Sequence, residues 1–253
     1  MMSFNLTLEH VSAILKGNKQ AAEWHKALAR QLPKYKIDTP QRIAGFLAQC
    51  AHESNNFTVL EENLNYSAEG LQKTWPKRFD AKLAAQVARQ PQRIAEIVYA
   101  GRMGNTQPGD GWKFRGQGPI QLTGRENFTN FGMTLNKTAE QVAEYMTTKD
   151  GAIESACWYW NSRSLNKWVD TNDFDGLSDV INLGHKTPKV GDAIGYADRK
   201  ARYEHALAVL TGKEVHVAPA APVVVAPTVA PAVIATSKPT PRKRMPAPKF
   251  TAE

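Results

Sequence analysis

This chain has no acidic excess, no cysteine framework and no long apolar run. Its 253 residues contain two cysteines, Cys50 and Cys157. Two cysteines build no disulfide scaffold. Both lie in apolar, helix-like surroundings, so two buried thiols acting as small hydrophobes are expected. A single long-range disulfide is the alternative. No stretch approaches the ~20 apolar residues of a membrane span. The first 20 residues lack the basic start and apolar run of a secretory signal, so delivery to any cell wall would fall to another component. The six histidines are scattered. His52-Glu53 has no histidine three residues after the glutamate, which excludes the His-Glu-x-x-His zinc motif. His52 reads instead as a packing or supporting residue. Ser54 lacks a nucleophile elbow, and no glycine-rich loop leads into a phosphate-binding helix. No metal and no organic cofactor are expected.

What is present is positive charge, a formal net of +8. Such a balance suits an anionic partner: nucleic acid, a membrane surface or an acidic wall. Half of it falls in residues 213–253, which hold six Lys/Arg against two Glu and eight of the 15 prolines. Within residues 218–235, Pro, Ala and Val alternate. Proline removes amide donors and fixes φ, so this segment reads as an extended or disordered tail rather than a helix. The expected division is a folded domain over 1–212 and a basic tail over 213–253. An electrostatic tether to an anionic envelope is the favoured reading of the tail. A solvated tail without a role and a nucleic-acid tag are the alternatives, and nucleic acid is the least favoured partner.

Residues 1–212 read as mainly helical. Leu8, Val11, Ile14 and Leu15 follow helical spacing. Thr39-Pro40 supplies an N-cap and a first-turn proline for a helix running through Ile43, Phe46, Leu47 and Cys50. It should stop near Asn55-Asn56, residues that tolerate the left-handed conformation. Further helices are expected over 82–89, 93–99, 139–146, 151–161, 177–183 and 193–210. Residues 101–124 differ, with seven glycines plus Pro108 and Pro119. That composition predicts loop and short strand, and places a cleft there.

Hydrolysis of a glycosidic bond generally needs one protonated and one ionised carboxyl group. Two acids in contrasting surroundings are therefore the feature to seek. Glu53 falls within about 20° of Phe46 on its helix, flanked by Gln49 and Cys50. Burial and the negative helix end would both disfavour its ionisation, as a general acid requires. The alternative is an acid that pairs with a nearby arginine. Glu62 follows in a polar stretch where Asn63 and Asn65 could solvate an ionised carboxylate, with Glu61 and Glu69 as competitors. Gly116 and Gly118 permit close backbone approach to a ligand. In an extended strand Gln121 and Thr123 would share a polar face. Trp112, Phe114 and Tyr66 could stack on sugars, though Trp112 reads equally as a core aromatic.

Three segments together resemble glycoside hydrolase family 19. They are residues 46–54 (FLAQCAHES), 62–71 (ENLNYSAEGL) and 115–123 (RGQGPIQLT). The third is the most specific, and the second resembles the bacterial and phage branch. The likeness spans roughly residues 8–210. It implies a lysozyme-like, mainly α fold with a small β element beside a cleft, and an inverting single-displacement mechanism. It implies Glu53 as general acid, Glu62 as general base and Thr123 as the hydroxyl that helps hold the attacking water. Gln121 and Asn127 match polar residues lining the sugar cleft. Asn182 resembles a late family asparagine, and Arg199 an arginine that pairs with the acids.

The plant branch carries its second acid further along, has disulfides, and places an aromatic where Glu126 stands here. These departures shift the expected substrate from chitin towards the MurNAc–GlcNAc bond of bacterial peptidoglycan. The expected protein is a monomeric endolysin made in a host cytoplasm and released to the wall, with carriage in the virion left open. A chitinase of the same fold and a silent wall-binding virion component are the alternatives.

Overall fold

The computed structural model describes residues 4–212. The basic tail, and with it the expected tether, lies outside the described residues. Thirteen α-helices follow in chain order: α1 Leu8–Ile14, α2 Ala21–Gln31, α3 Pro40–Glu53, α4 Ala68–Thr74, α5 Ala81–Val87, α6 Pro91–Tyr99, α7 Asp110–Lys113, α8 Arg125–Leu135, α9 Ala139–Tyr145, α10 Lys149–Ser162, α11 Asn166–Asp170, α12 Phe174–Asn182 and α13 Tyr196–Thr211. A short 3-10 turn, Leu32–Tyr35, links α2 to α3.

Local chemistry sets the helix starts. Thr7, Thr39, Ser67, Asp80, Thr138, Thr148 and Asp173 each accept a backbone N–H from the first turn of the helix they precede. Each such cap satisfies a donor that would otherwise be orphaned, worth about 1 kcal/mol. Pro40 and Pro91 occupy first-turn positions where no amide donor is needed. The end of α3 is abrupt. Asn55, Asn56 and Phe57 all take positive φ (47°, 57° and 62°). Left-handed backbone at a bulky residue is costly. Phe57 holds it with its ring buried against Trp24, 5.2 Å between centroids. This reversal carries the chain from Glu53 back towards Glu62.

Two hydrophobic cores form. The larger is built from α1–α3, α8–α13 and residues 114–122, with Trp24, Phe46, Phe128, Phe131 and Trp160 at its centre. The smaller gathers Leu64, Leu71, Phe79, Val87, Ile94, Val98 and Tyr99, from α4–α6 and the segment before them. α3 packs along α13 in the larger core. Residues 60–62 cross between the cores: Leu60 packs on the large one and Leu64 sits inside the small one.

The expected β element is reduced to two isolated antiparallel bridges, Glu61 with Gln117 and Gln117 with Leu122. Residues 117–122 are a tight turn rather than an extended strand. Gln117 and Leu122 exchange backbone hydrogen bonds, and Gln121 adopts φ 55° inside the turn. The shared polar face expected for Gln121 and Thr123 therefore does not exist. Cys50 and Cys157 are buried, unbonded thiols. Among the described residues, no helix is long and apolar enough to cross a membrane.

Candidate active site

Glu53 ends α3 beside a fully buried arginine. Arg199, on α13, donates through Nη2 to Glu53 Oε1 at 2.5 Å and through Nη1 to Gln49 Oε1 at 2.6 Å. Its Nε donates to the Ile194 carbonyl at 3.0 Å. Gln49 and Glu53 lie four residues apart, one turn of the same helix face, so one guanidinium reaches both. Gln49 in turn donates to Ser178 Oγ at 3.0 Å. Asn182, at the end of α12, accepts the Ile194 N–H at 2.9 Å and so holds the peptide segment that meets Arg199. Glu53 is thus paired with the arginine that the family likeness places beside the acids.

The neighbouring His52 bonds through Nδ1 to Asp198 at 2.6 Å, and Arg202 donates to the same carboxylate at 2.7 Å. Burial opposes ionisation of Asp198, but these two partners outweigh it and bring the carboxyl down to about 2. Gly195, at φ 74°, closes this corner. A side chain there would collide with the His52 ring.

Glu62 lies in different surroundings. It is 8% exposed, and its backbone N–H bonds the Gly116 carbonyl at 2.9 Å. Tyr99, the last residue of α6, places its hydroxyl 2.7 Å from both carboxylate oxygens. The Gly116 N–H approaches Oε2 at 3.3 Å. Burial pushes the Glu62 carboxyl up from its ordinary value, while the Tyr99 hydroxyl, the Gly116 amide and the Arg115 charge pull against it. Burial and the Glu62 charge push the Tyr99 phenol far up, so it stays a donor. Asn63 and Asn65 do not provide the expected solvation: Asn63 Oδ1 accepts its own chain's Asn65 N–H instead. The two acids therefore differ in their partners, a guanidinium for Glu53 and a phenol for Glu62. Both carboxylates are largely withdrawn from solvent, and only Glu53 is paired with a charge through a direct side-chain bond.

Around Glu62 the remaining candidates fall into order. The Cβ that Gly116 lacks would stand 2.8 Å from Gln121 Oε1 and 3.3 Å from Glu62 Cβ, so Gln121 and Glu62 flank that glycine. Thr123 donates its hydroxyl to the Gln121 carbonyl at 2.9 Å, which leaves its lone pairs to accept. Asn127 Nδ2 is committed to the Thr123 carbonyl at 2.8 Å. Tyr66 is half-buried and edges onto Trp75, 5.0 Å between centroids. Trp112 is half-buried with the Arg115 guanidinium 3.9 Å above its ring, so that face is not open to a sugar. Arg115 also pairs with Glu61. Asn182 and Arg199 belong with Glu53; Tyr66, Trp112, Gln121, Thr123 and Asn127 belong with Glu62. Among the described residues no hydrogen bond links the two groups. A groove of about 280 Å³ bordered by Phe4, Leu6, Leu28, Leu32, Ile37 and Ile43 contains none of these residues.

No protein-family model matches the sequence. A glycosyl hydrolase family 19 domain-containing protein of Haemophilus influenzae is 37% identical over 163 residues, 63% of this chain and 80% of that one. The chain belongs to glycoside hydrolase family 19. It is a glycoside hydrolase with the mainly α, lysozyme-like fold of that family. Solved chitinases share its architecture at low identity. Chitinase C from Streptomyces griseus HUT6037 superposes with a TM-score of 0.58 at 17% identity, covering 84% of this chain and 79% of that one. A bacterial family 19 chitinase gives 0.53 at 18%, covering 82% and 95%.

Two residues of this candidate site carry no signal in the sequence. Tyr99 lies 37 residues from Glu62, and no spacing rule links them. Asp198 and its bond to His52 likewise arise only when α13 packs on α3. Gln49 stands one turn before Glu53 on the same helix and is joined to it through Arg199.

Proposed function

We propose that this family 19 hydrolase cuts the β-1,4 bond between MurNAc and GlcNAc in peptidoglycan by an inverting mechanism. Glu53 donates a proton to the leaving oxygen. Glu62 takes a proton from the water that attacks the opposite face of the sugar. Thr123 offers lone pairs to that water, and Arg199 orients Glu53. The observation that carries the reading is the pair of carboxylates in unlike surroundings, Glu53 against a buried guanidinium and Glu62 under a phenol. A buried base whose carboxyl is pushed up sits nearer the working pH, where it removes protons more effectively. The same desolvation of Glu62 favours a second reading with the roles exchanged.

Hydrolysis of purified peptidoglycan and of colloidal chitin by the wild type and by Glu53→Gln tests substrate and residue together. Sugar release from peptidoglycan that disappears in the variant supports the proposal. Activity on chitin alone makes the enzyme a chitinase. Binding without release makes it a silent wall protein. Substrates with activated leaving groups assign the roles, because they need little proton donation. They should restore turnover to the variant lacking the acid and leave the one lacking the base inactive.

A role in phage-induced lysis, as a monomer made in the host cytoplasm and released to the wall, belongs to the same proposal. It rests on the likeness of residues 62–71 to the bacterial and phage branch. The basic residues 213–253 are proposed to hold the enzyme to an anionic envelope. Their removal should weaken action on intact cells and spare action on purified wall.

A further inference from the structure

The segment that builds the small core carries more positive than negative charge. Residues 64–112 contain seven Lys/Arg and four Asp/Glu. Three of the four acids are already engaged. Asp80 caps α5, Glu96 accepts the Trp112 N–H, and Asp110 is bound by Arg125. Among the described residues, every ion pair involves cations elsewhere: on Arg30, Arg42, His52, Arg115, Arg125, Lys186, Arg199, Lys200 or Arg202.

Two of the unpaired cations converge on one place. Arg78 Nη1 donates to the Ile97 carbonyl at 3.3 Å, and Arg102 Nη1 to the adjacent Val98 carbonyl at 3.1 Å. Both guanidiniums therefore sit at the C-terminal end of α6. Burial first, then the Arg78 charge, pull the Arg102 guanidinium below its ordinary value, as expected of two like charges held together. The helix end attracts them, but one carbonyl each leaves most of their five N–H donors unused. Tyr99 closes the same turn. Its carbonyl accepts the Arg102 N–H, and its hydroxyl holds Glu62.

We infer that Arg78 and Arg102 form a carboxylate-binding pair that engages the acidic peptide stems of peptidoglycan while the glycan lies at Glu62. The inference rests on the peptidoglycan reading above. Two guanidinium forks suit a carboxylate, which can accept from both. Chitin offers no such group. The pair would therefore set substrate preference through affinity and take no part in bond cleavage.

The test is co-sedimentation of the full chain with purified sacculi, freed of wall phosphate polymers, and with chitin particles, over a range of salt. Wild type, the double variant Arg78→Gln/Arg102→Gln and the double lysine variant are compared. The glutamine pair should weaken binding to sacculi about tenfold, a loss of about 1.4 kcal/mol. It should leave chitin binding unchanged and flatten the salt dependence, while the lysine pair retains that dependence. Equal losses on sacculi and chitin would mean that the arginines only cap α6, and would overturn the inference. So would unchanged binding to sacculi, or binding that requires the phosphate polymers. Sugar release from the same sacculi reads the hydrolase proposal separately. Binding through the arginines without release would sink that proposal and leave the binding pair standing.

Discussion

The Tyr99 hydroxyl stands 2.7 Å from each oxygen of Glu62 and is the only side-chain donor bonded to that carboxylate among the described residues. Because this donor favours the ionised form, Tyr99→Phe should push the Glu62 carboxyl further up. If Glu62 is the base, the acidic limb of the kcat/KM profile moves to higher pH. The rate near neutrality should fall by about tenfold to a hundredfold. A pH–rate profile of the variant checks both, and a lower rate with an unmoved limb would mean that Tyr99 only packs.

Glu62 also bears on stability. Its folded-state value lies above 4.5, so the folded protein binds this proton more tightly than the unfolded chain. The stability this confers is full below 4.5 and is lost as pH rises through the folded value. Glu62→Gln removes the ionising group. It should therefore raise Tm near neutral pH, and the gain should shrink towards zero in acid. Thermal melts across that range measure it.

Arg199 is buried and bonds Glu53, Gln49 and the Ile194 carbonyl. Arg199→Ala leaves a buried carboxylate unpaired and should cost about 3–5 kcal/mol. Arg199→Lys keeps the charge but cannot reach three acceptors as a fork does. It should recover much of the stability while kcat stays low. Denaturant titration and kinetics of the two variants separate the effects.

Gly195→Ala should damage the site from outside it. The positive φ penalises any side chain, and the added methyl meets the His52 ring, which is held by Asp198 next to Glu53. We expect a loss of about 1–2 kcal/mol for the left-handed backbone alone and a larger fall in kcat than in substrate affinity. Activity and melting of the variant test this directly.

The fold was largely legible in the sequence where polar caps and apolar spacing agree. Thr39-Pro40 and the Phe46, Leu47, Cys50 spacing define α3, and α1, α5, α6, α9, α10, α12 and α13 appear near their expected places. α8 was not foreseen. It starts after Gly124 without a side-chain cap, and its buried face is only Phe128, Phe131 and a glycine, Gly132. The five-residue α11 and four-residue α7 are shorter than any periodicity can show.

Residues 115–123 were marked as site material by their glycines and polar pair. Their turn geometry, however, depends on Gln121 taking a left-handed conformation, which glutamine does not signal. Glu53 and Glu62 stand out in the sequence as candidates, but what surrounds each carboxylate does not. Arg199 meets Glu53, and Tyr99 meets Glu62, from helices distant in sequence. Local pattern reports which face a residue occupies and is silent about what arrives there from another helix.

The most direct test follows the anomeric configuration of the sugar released from short peptidoglycan strands by NMR in the first moments of reaction. Wild type, Glu53→Gln and Glu62→Gln are compared. The account predicts a first product of inverted configuration, and a loss of about a hundredfold or more in each variant. Retained configuration, or near-normal turnover in either variant, would contradict it.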